Sequence, residues 1–310
     1  MIKNLRLGID IGGTNTAYGI VDENGKILKK GSISTKGHTN PLDFVDTLYD
    51  KILSEIQNDF FSKIKSIGVG APNGNYYTGN IEFAPNLEWE GIIPLASIIE
   101  KKFSITTKLT NDANAAAMGE MMFGAAKGMK DFIMITLGTG VGSGFVANGQ
   151  LIYGHDGFAG ELGHVIAIRD GRPCGCGRRG CLETYTSATG IVKTVKEFMK
   201  INTYESPLKN IQEISSKDIY IAAQQNDKLA LDVFDYTGKI LGQTLADAAA
   251  ITSPEAIILF GGLAQAEKYI FKPTQKYFEE NLLVIYKNKI KIIPSLLNES
   301  AAAILGAAAL

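Results

Sequence analysis

Several features that would assign a protein to a specialised class are scarce in this chain. Its 310 residues include three cysteines, three histidines and one tryptophan, and the formal net charge is -1. A basic surface is needed for broad binding to nucleic acid or anionic membrane, so we expect neither as a partner. No apolar run reaches the roughly 20 residues of a membrane-spanning helix. The first residues lack the features of a secretory signal, so we expect a cytoplasmic protein.

The three cysteines are few, but they are close together. Cys174, Cys176 and Cys181 lie within eight residues rich in glycine, arginine and proline, and His164 precedes them. Three cysteines cannot all pair within one chain, and this setting is a poor one for the alternative of apolar core thiols. Three thiolates and one imidazole make a tetrahedral set that is typical of structural zinc. We predict such a site, which also favours a reducing compartment.

Two carboxylates flank the predicted zinc ligands and are not needed to complete the tetrahedron. They are Glu161, three residues before His164, and Glu183, two residues after Cys181. A metal-bound histidine also keeps one ring nitrogen for another hydrogen bond. The hypothesis is that the metal shapes a loop, residues 161–183, whose carboxylates face a substrate. We call this segment the zinc loop.

The order of predicted elements indicates two α/β domains. Residues 5–35 and 131–152 both run strand, glycine-threonine turn, strand, Asn-Gly turn, strand, and alternating helices and strands follow each. Sequence identity between the halves is sparse, so the order of elements carries the argument. A chain of this length favours two domains, which we expect to face each other across a cleft. We place residues 1–110 with 298–310 in a smaller domain and 111–297, with the zinc loop, in a larger one.

Hydrophobic patterning and turn residues predict the individual elements. The predicted strands are 5–11, 16–21, 26–35, 66–70, 106–109, 131–137, 145–147, 256–260 and 289–293. The predicted helices are 41–60, 93–103, 187–199, 216–224, 228–251 and 299–310.

Two glycine-rich turns are candidates for binding phosphate. Asp10-Ile11-Gly12-Gly13-Thr14-Asn15 follows the first strand, and Gly138-Thr139-Gly140-Val141-Gly142-Ser143-Gly144 follows the strand that ends at Leu137. Glycine lets the backbone approach an anion closely, and Asp10 is suited to a magnesium ion on nucleotide phosphates. The alternative for the first turn is a β-turn in which Asp10 bonds only locally. Neither turn has the Gly-Lys-Ser/Thr of a Walker loop.

Asn111 and Asp112 follow a strand and open a helix. Both residue types are favoured helix caps, which is the simplest interpretation. The pair also lies where the first predicted domain ends, at the mouth of the expected cleft. There, Asp112 could accept a proton from an alcohol that attacks a phosphate.

Taken together, these stretches resemble the ROK family (repressor, open reading frame, kinase), and most closely its bacterial glucokinases. The matching stretches cover nearly the whole chain in family order: Asp10–Asn15, Ala84–Leu87 with Trp89, Asn111–Ala116, Leu137–Gly144, Gly160–His164, Cys174–Glu183 and Gly261-Gly262. The resemblance implies an actin-like, hexokinase-type bilobed fold with two mixed-sheet α/β domains. It also implies ATP with magnesium as phosphodonor, transfer to a hexose 6-hydroxyl, and a homodimer.

The resemblance assigns roles to individual residues. It makes Asp112 the general base, and zinc is held by the four residues predicted above. The residues that bind the sugar would be Asn86, Asn111, Asp112, Glu161, His164 and Glu183. Those that serve the phosphates and magnesium would be Asp10, Gly12, Gly13, Thr14, Asn15, Gly138, Thr139 and Gly140. Gly261 and Gly262 would lie near the nucleoside.

Two residues or segments depart from the family pattern, and the second departure bears on the choice of sugar. Thr110 stands where many family glucokinases have an acidic residue, and Asn73-Gly74 follows Ala71-Pro72 where they have Gly-Pro. Glucose is the first expectation, and fructose, mannose and N-acetylhexosamines remain alternatives. Family repressors carry a DNA-binding segment before the first turn, which here begins ten residues from Met1. We therefore expect a kinase and not a repressor.

Overall fold

A computed structural model describes residues 4–56, 58–201, 203–297 and 299–310. The first half of the chain forms β1 (Leu5–Ile11), β2 (Asn15–Val21), β3 (Ile27–Ser34), α1 (Pro41–Glu55), α2 (Asn58–Phe61), β4 (Ile64–Ala71), β5 (Ile81–Glu82), β6 (Ile92–Ile93), α3 (Leu95–Phe103), β7 (Thr107–Asn111) and α4 (Asp112–Phe123).

The second half begins again with strands. It forms β8 (Phe132–Leu137), β9 (Val141–Ala147), β10 (Gln150–Leu151), α5 (Glu183–Thr186), α6 (Ala188–Ile201), α7 (Ser216–Gln224), α8 (Lys228–Thr252), β11 (Ala256–Phe260), α9 (Lys268–Asn281), β12 (Lys291–Pro294) and α10 (Glu299–Ala308). Short 3-10 turns, among them Leu162–His164, lie between these elements. None of the described helices is long and apolar enough to cross a bilayer.

The two halves build sheets of the same design. The first sheet has the order β3-β2-β1-β4-β7, and the second has the order β10-β9-β8-β11-β12. In each, an antiparallel meander is extended by two parallel strands. Each sheet packs on its own hydrophobic core, with Phe44 and Leu48 in the first and Phe234 and Phe278 in the second. The repeat expected from the order of elements is therefore present.

Two helices rich in alanine and glycine lie between the sheets, and glycines in the strands make room for them. A methyl group placed on Gly8 of β1 or Gly68 of β4 would overlap backbone carbonyls of α10. A methyl group on Gly144 of β9 would lie 2.7 Å from Ala117 Cβ of α4. Gly119 lets α4 and α10 approach each other in turn. Glycine within a strand often marks such a close approach. Because α4 contacts strands of both sheets, its first turn lies at the junction of the sheets.

The domain boundaries stay a prediction. The strands of the first sheet lie within residues 5–111 and those of the second within 132–294, while α10 packs on β1, β4 and α4. The proposed boundary residue 298 lies outside the described residues.

Several predicted elements were wrong in their bounds. The helix predicted over 41–60 ends at Glu55, where Ile56 is extended, and residue 57 lies outside the described part of the chain. The helix predicted from residue 93 begins at Leu95, because Ile92–Ile93 pairs with β5. The strand predicted to begin at Phe145 begins at Val141, since the glycines of the second turn continue into β9. The helix predicted from Ser187 begins at Ala188, because Ser187 is extended, and the short helix Glu183–Thr186 before it was not predicted.

Candidate active site

The first glycine-threonine turn, Gly12–Asn15, connects β1 to β2. The N–H of Gly12 donates to the carbonyl of Asn15 at 3.0 Å, and the carbonyl of Thr14 accepts from Thr35 N at 2.8 Å. The turn is thus closed on itself and fixed to the residue after β3. Asp10 stands two residues before it, near the end of β1.

The loop that carries Asn86 lies directly against this turn. A methyl group placed on Gly13 would overlap the backbone carbonyl oxygen of Asn86 and approach its Cβ to 3.3 Å. Glycine is therefore required for the fit. Trp89 fixes the same loop: its buried indole N–H donates to the carbonyl of His38 at 2.7 Å. Among the described contacts, Asn86 is linked to the first turn and not to the zinc loop.

Asn111 and Asp112 lie at the start of α4, beside Asp10. The Oδ1 atom of Asn111 accepts from Ala113 N at 2.9 Å, so the capping interpretation holds for Asn111. Asp112 Oδ1 accepts from the same N–H at 2.7 Å. A methyl group placed on Gly70 would be 3.6 Å from Asp10 Oδ1 and 3.7 Å from Asp112 Cα, so both aspartates flank Gly70.

Both aspartates have raised pKa values. The Asp112 side chain is partly exposed, yet desolvation by the surrounding protein raises its pKa, and the hydrogen bond from the N–H of Ala113 offsets part of this increase. Burial, with the charge of Asp112 added, raises the pKa of Asp10 to about 7. Among the described residues, no ion pair or hydrogen bond neutralises the Asp10 side chain. A carboxylate in that state fits an oxygen-liganded divalent cation.

The second glycine-threonine turn, Gly138–Gly140, connects β8 to β9. Gly138 N donates to the carbonyl of Gly140 at 3.0 Å. The carboxylate of Glu183 backs this turn: its Oε2 accepts from Val141 N at 3.1 Å and occupies the place that a methyl group on Gly140 would need. Each turn is therefore in contact with one residue predicted to bind sugar: Asn86 lies against the first turn and Glu183 against the second.

A large cavity lies beside the second turn and is lined in part by Gly261 and Gly262. Its volume is about 1130 Å³. Gly261 has a φ of +98°, and Leu263 N donates to the carbonyl of Leu137 at 3.2 Å, which joins this glycine pair to β8. The cavity is large enough for a nucleoside. Sequence reasoning missed the helical residues that line it, including Lys217, Tyr220 and Phe271, because α7 and α9 carry no local motif.

The four predicted zinc ligands are brought together. Cys174 Sγ is 3.6 Å from His164 Nδ1, Cys176 Sγ is 3.6 Å from Cys181 Sγ, and all four ligand atoms lie within 4.8 Å of one another. Zinc bonds of about 2.0–2.3 Å imply ligand separations of about 3.5–3.8 Å in a tetrahedron. The donor set and its spacing therefore fit zinc.

Arg172 anchors the base of this loop, and sequence reasoning missed it. Its buried guanidinium makes two hydrogen bonds to Glu197 at 2.8 and 2.6 Å, and another to the carbonyl of Thr184 at 2.7 Å. It also stacks on Tyr185, with 4.4 Å from Cζ to the ring centroid. These contacts fix the zinc loop to α5 and α6, and Glu183 is the first residue of α5.

The loop that carries Glu161 is held by β9. Ser143 Oγ donates to the carbonyl of Gly160 and accepts from Leu162 N at 3.1 Å. Burial is the main cause of the raised pKa of Glu161, with smaller contributions from the charges of Asp112 and Glu183 and an opposing one from His164. The predicted base and two other predicted sugar ligands are therefore near enough to affect Glu161 electrostatically.

Comparisons with known proteins extend this description. The ROK family sequence pattern matches residues 6–310. The chain is 34% identical to the glucokinase of Thermotoga maritima, over 100% of this chain and 98% of that protein. It is 30% identical to the xylose repressor of Bacillus spizizenii, over 96% of this chain and 74% of the repressor. The crystal structure of a ROK family glucokinase from Streptomyces griseus in complex with glucose and AMPPNP is 32% identical, with a TM-score of 0.81 and 98% of each chain covered.

The fold, the site and these similarities define an enzyme of the sugar-kinase class with a hexokinase-type α/β fold. The chain belongs to the ROK family. The predictions of fold class, family and enzyme class are confirmed.

Proposed function

We propose that this protein transfers the terminal phosphoryl group of ATP to the 6-hydroxyl of a hexose, with glucose as the preferred sugar. The observation that carries the proposal is the position of Asp112. It begins α4 at the junction of the two sheets, flanks Gly70 together with Asp10, and is within electrostatic reach of Glu161. The likeness to a glucokinase that binds glucose and AMPPNP supports the same assignment.

Asp112 is proposed as the general base. Its Oδ1 accepts from Ala113 N, which fixes the carboxylate, and its second oxygen would accept the proton of the attacking hydroxyl. The bond from the sugar oxygen to the γ-phosphorus forms as the bond from that phosphorus to the β-phosphate oxygen breaks. The proton passes to Asp112 and ADP leaves. A raised pKa makes the carboxylate a stronger base for this step.

The two turns are proposed to hold the phosphates. Backbone N–H groups of Gly12–Asn15 and Gly138–Gly140 would surround them, and Asp10 would bind magnesium, which lowers the negative charge of the phosphates when bound. The cavity at Gly261 and Gly262 would take the nucleoside. Its size and its position next to the second turn support this placement.

The sugar is proposed to lie between Asp112 and the zinc loop. Glu161, His164 and Glu183 would bind its hydroxyl groups, joined by Asn111 and Asn86. A neutral polyol is selected well by such groups, because a poorer ligand leaves them unpaired. Zinc, held by His164 and the three cysteines, would keep the loop in shape and take no part in the chemistry.

Other hexoses remain the nearest alternative. The segment after Ala71-Pro72 departs from the family pattern, and Asn73 Nδ2 donates to the carbonyls of Glu82 and Phe83 at 3.0 and 3.1 Å. In the family that the chain resembles, loops after this point line the sugar side of the cleft, so a preference for fructose, mannose or an N-acetylhexosamine would be decided there. We also propose a homodimer, which the family resemblance supports. The sequence similarity to a repressor makes a DNA-binding role a further alternative, which the net charge of -1 disfavours.

A coupled assay of ADP formation across glucose, fructose, mannose, N-acetylglucosamine and N-acetylmannosamine tests the proposal. We expect the highest kcat/KM with glucose, and ³¹P NMR should identify the product as the 6-phosphate. Higher kcat/KM with another hexose would move the assignment to that sugar. ADP formation that no hexose stimulates would overturn the proposed reaction.

A further inference from the structure

Two loops from opposite halves of the chain meet beside the proposed sugar site. One lies between β4 and β5 and carries Asn75, Tyr76 and Tyr77, and the other follows β10 and carries Tyr153. The rings of Tyr76 and Tyr153 stack with centroids 4.1 Å apart and planes at 7°. Tyr77 Oη donates to the carbonyl of Gly154 at 2.9 Å. No site described above uses these contacts.

The contact is built around a buried asparagine. Asn75 is only 3% exposed, and its Nδ2 donates to the carbonyl of Asp156 at 2.8 Å and to Glu82 Oε1 at 3.0 Å. A methyl group placed on Gly157 would be 2.5 Å from Asn75 Oδ1, so Gly157 and Asn75 fit closely. This amide therefore joins the second loop to the first with both of its hydrogens in use.

Each loop leads directly to a proposed sugar ligand or to the proposed base. The loop that begins at Tyr153 continues to Glu161 and His164, and Ala159 N donates to the carbonyl of Tyr153 at 3.0 Å. The other loop starts beside β7, where a methyl group on Gly74 would overlap the carbonyl of Thr110. Thr110 precedes Asn111 and Asp112. The contact between the loops thus connects the strand end that carries Asp112 to the segment that carries Glu161.

Tyr153 faces the same strand end. Its phenol lies beside the hydroxyl of Thr110. That hydroxyl is buried, and no described residue forms a hydrogen bond of good geometry with it. The Nζ of Lys108 lies 5.9 Å from the centroid of the Tyr76 ring. The stacked pair therefore rests on β7 from one side and on the β10 loop from the other.

We propose that Asn75, Tyr76, Tyr77 and Tyr153 form an interdomain clasp that positions Glu161 and His164 relative to Asp112 and so sets the affinity for the sugar. The inference rests on the proposed function. The four clasp residues act through the loops they hold, so they are positioning residues. Ser143 holds the Glu161 segment to β9, the predicted zinc site would hold it through His164, and the clasp supplies a further attachment from the first half of the chain.

Tyr76→Ala removes the stacked ring, whereas Tyr76→Phe keeps the ring and removes only its hydroxyl. Loss of an aromatic stack corresponds to about a 2- to 13-fold change in an equilibrium constant. We expect Tyr76→Ala to raise the KM for the hexose by a factor in that range, with the KM for ATP unchanged within about twofold. Tyr76→Phe should behave as the wild type. Tyr49→Ala is the matched control, since Tyr49 stacks edge-on against Phe103 within the first half only, at 4.9 Å.

Amide hydrogen exchange tests the clasp without relying on catalysis. Exchange at residues 159–164 should be faster in Tyr76→Ala than in the wild type, and unchanged in Tyr76→Phe and Tyr49→Ala. Unchanged exchange there in Tyr76→Ala would overturn the clasp, whatever the protein phosphorylates. Faster exchange with an unchanged hexose KM, or an equal rise in both KM values, would overturn its link to the sugar. A wild-type protein that phosphorylates no hexose defeats the proposed function separately, and the exchange result still decides the clasp.

Discussion

The two glycine-threonine turns resemble each other in sequence and differ in what lies behind them. Gly13 of the first turn abuts the backbone carbonyl of Asn86, in a loop held by the buried indole of Trp89. Gly140 of the second abuts the end of the Glu183 side chain, which can rotate. The first turn is therefore joined to the proposed sugar site through backbone atoms, and the second through the end of a side chain.

The carboxylates next to the two turns are also in different states. Asp10 has no neutralising partner among the described residues, and burial together with the charge of Asp112 raises its pKa to about 7. Glu183 accepts a hydrogen bond from Val141 N. A carboxyl group whose pKa is raised far above its ordinary value is typical of a functional site. The comparison predicts that changes at the first turn have larger effects than those at the second.

Asp10→Asn should have the largest effect at the turns. We expect kcat to fall by about 1000-fold, because the variant loses the anionic ligand proposed for magnesium. The same variant should be more heat-stable than the wild type at pH 8. The pKa of Asp10 is raised by folding, so its favourable contribution to stability is present below pH 4 and is lost as the pH rises through about 7. Melting temperatures from pH 4 to 8 should therefore diverge with rising pH. Equal activity, or lower stability at pH 8, would contradict this account of Asp10.

Gly13→Ala should reduce kcat/KM by about 100-fold, since a displacement near 1 Å in a catalytic site has effects of that size. The added methyl group overlaps a backbone atom of Asn86, so the turn or the loop must move. Steady-state kinetics should show changes for both ATP and the hexose, because both sides of the contact shift. A loss confined to one substrate would show that the turn and the Asn86 loop move independently.

Cys176→Ser tests the loop behind the second turn. The wild-type protein should contain about one zinc per chain by elemental analysis, and the variant less. We expect the KM for the hexose to rise about tenfold, because the proposed zinc would hold Glu183 and His164 in place. Arg179→Ala, an exposed change in the same loop, should retain zinc. Metal-free protein with full activity would contradict a supporting role for zinc.

Gly140→Ala should have the smallest effect, about a threefold rise in the KM for the hexose with little change in kcat. The methyl group meets only the end of the Glu183 side chain, which can adopt another rotamer. A loss as large as that of Gly13→Ala would show that the second turn is backed as rigidly as the first.

Short-range patterns in the sequence predicted much of the site. The spacing of Cys174, Cys176 and Cys181 predicted a ligand cluster that the fold assembles with His164. Asn111 and Asp112 were placed correctly at a strand end and helix start. These features depend on a few neighbouring residues, and local chemistry is enough to predict them.

The features that were missed depend on contacts between distant segments. β9 was predicted too short because Gly142 and Gly144 look like turn residues, yet they are strand glycines that accommodate α4. Asn75 contacts Asp156, 81 positions away, and Tyr77 contacts Gly154, 77 positions away. No periodicity or motif in either segment indicates its partner, so only the folded chain reveals these contacts.

The most direct test of the proposed mechanism is the turnover of Asp112→Asn with ATP and glucose, measured together with glucose binding by calorimetry. Asp50→Asn, on the exposed face of α1, is the matched control and should turn over normally. We predict that Asp112→Asn lowers kcat by about 10²–10⁴-fold, the usual contribution of a general base, while the Kd for glucose changes only slightly. Near-normal turnover in Asp112→Asn would contradict the assignment of Asp112 as the base.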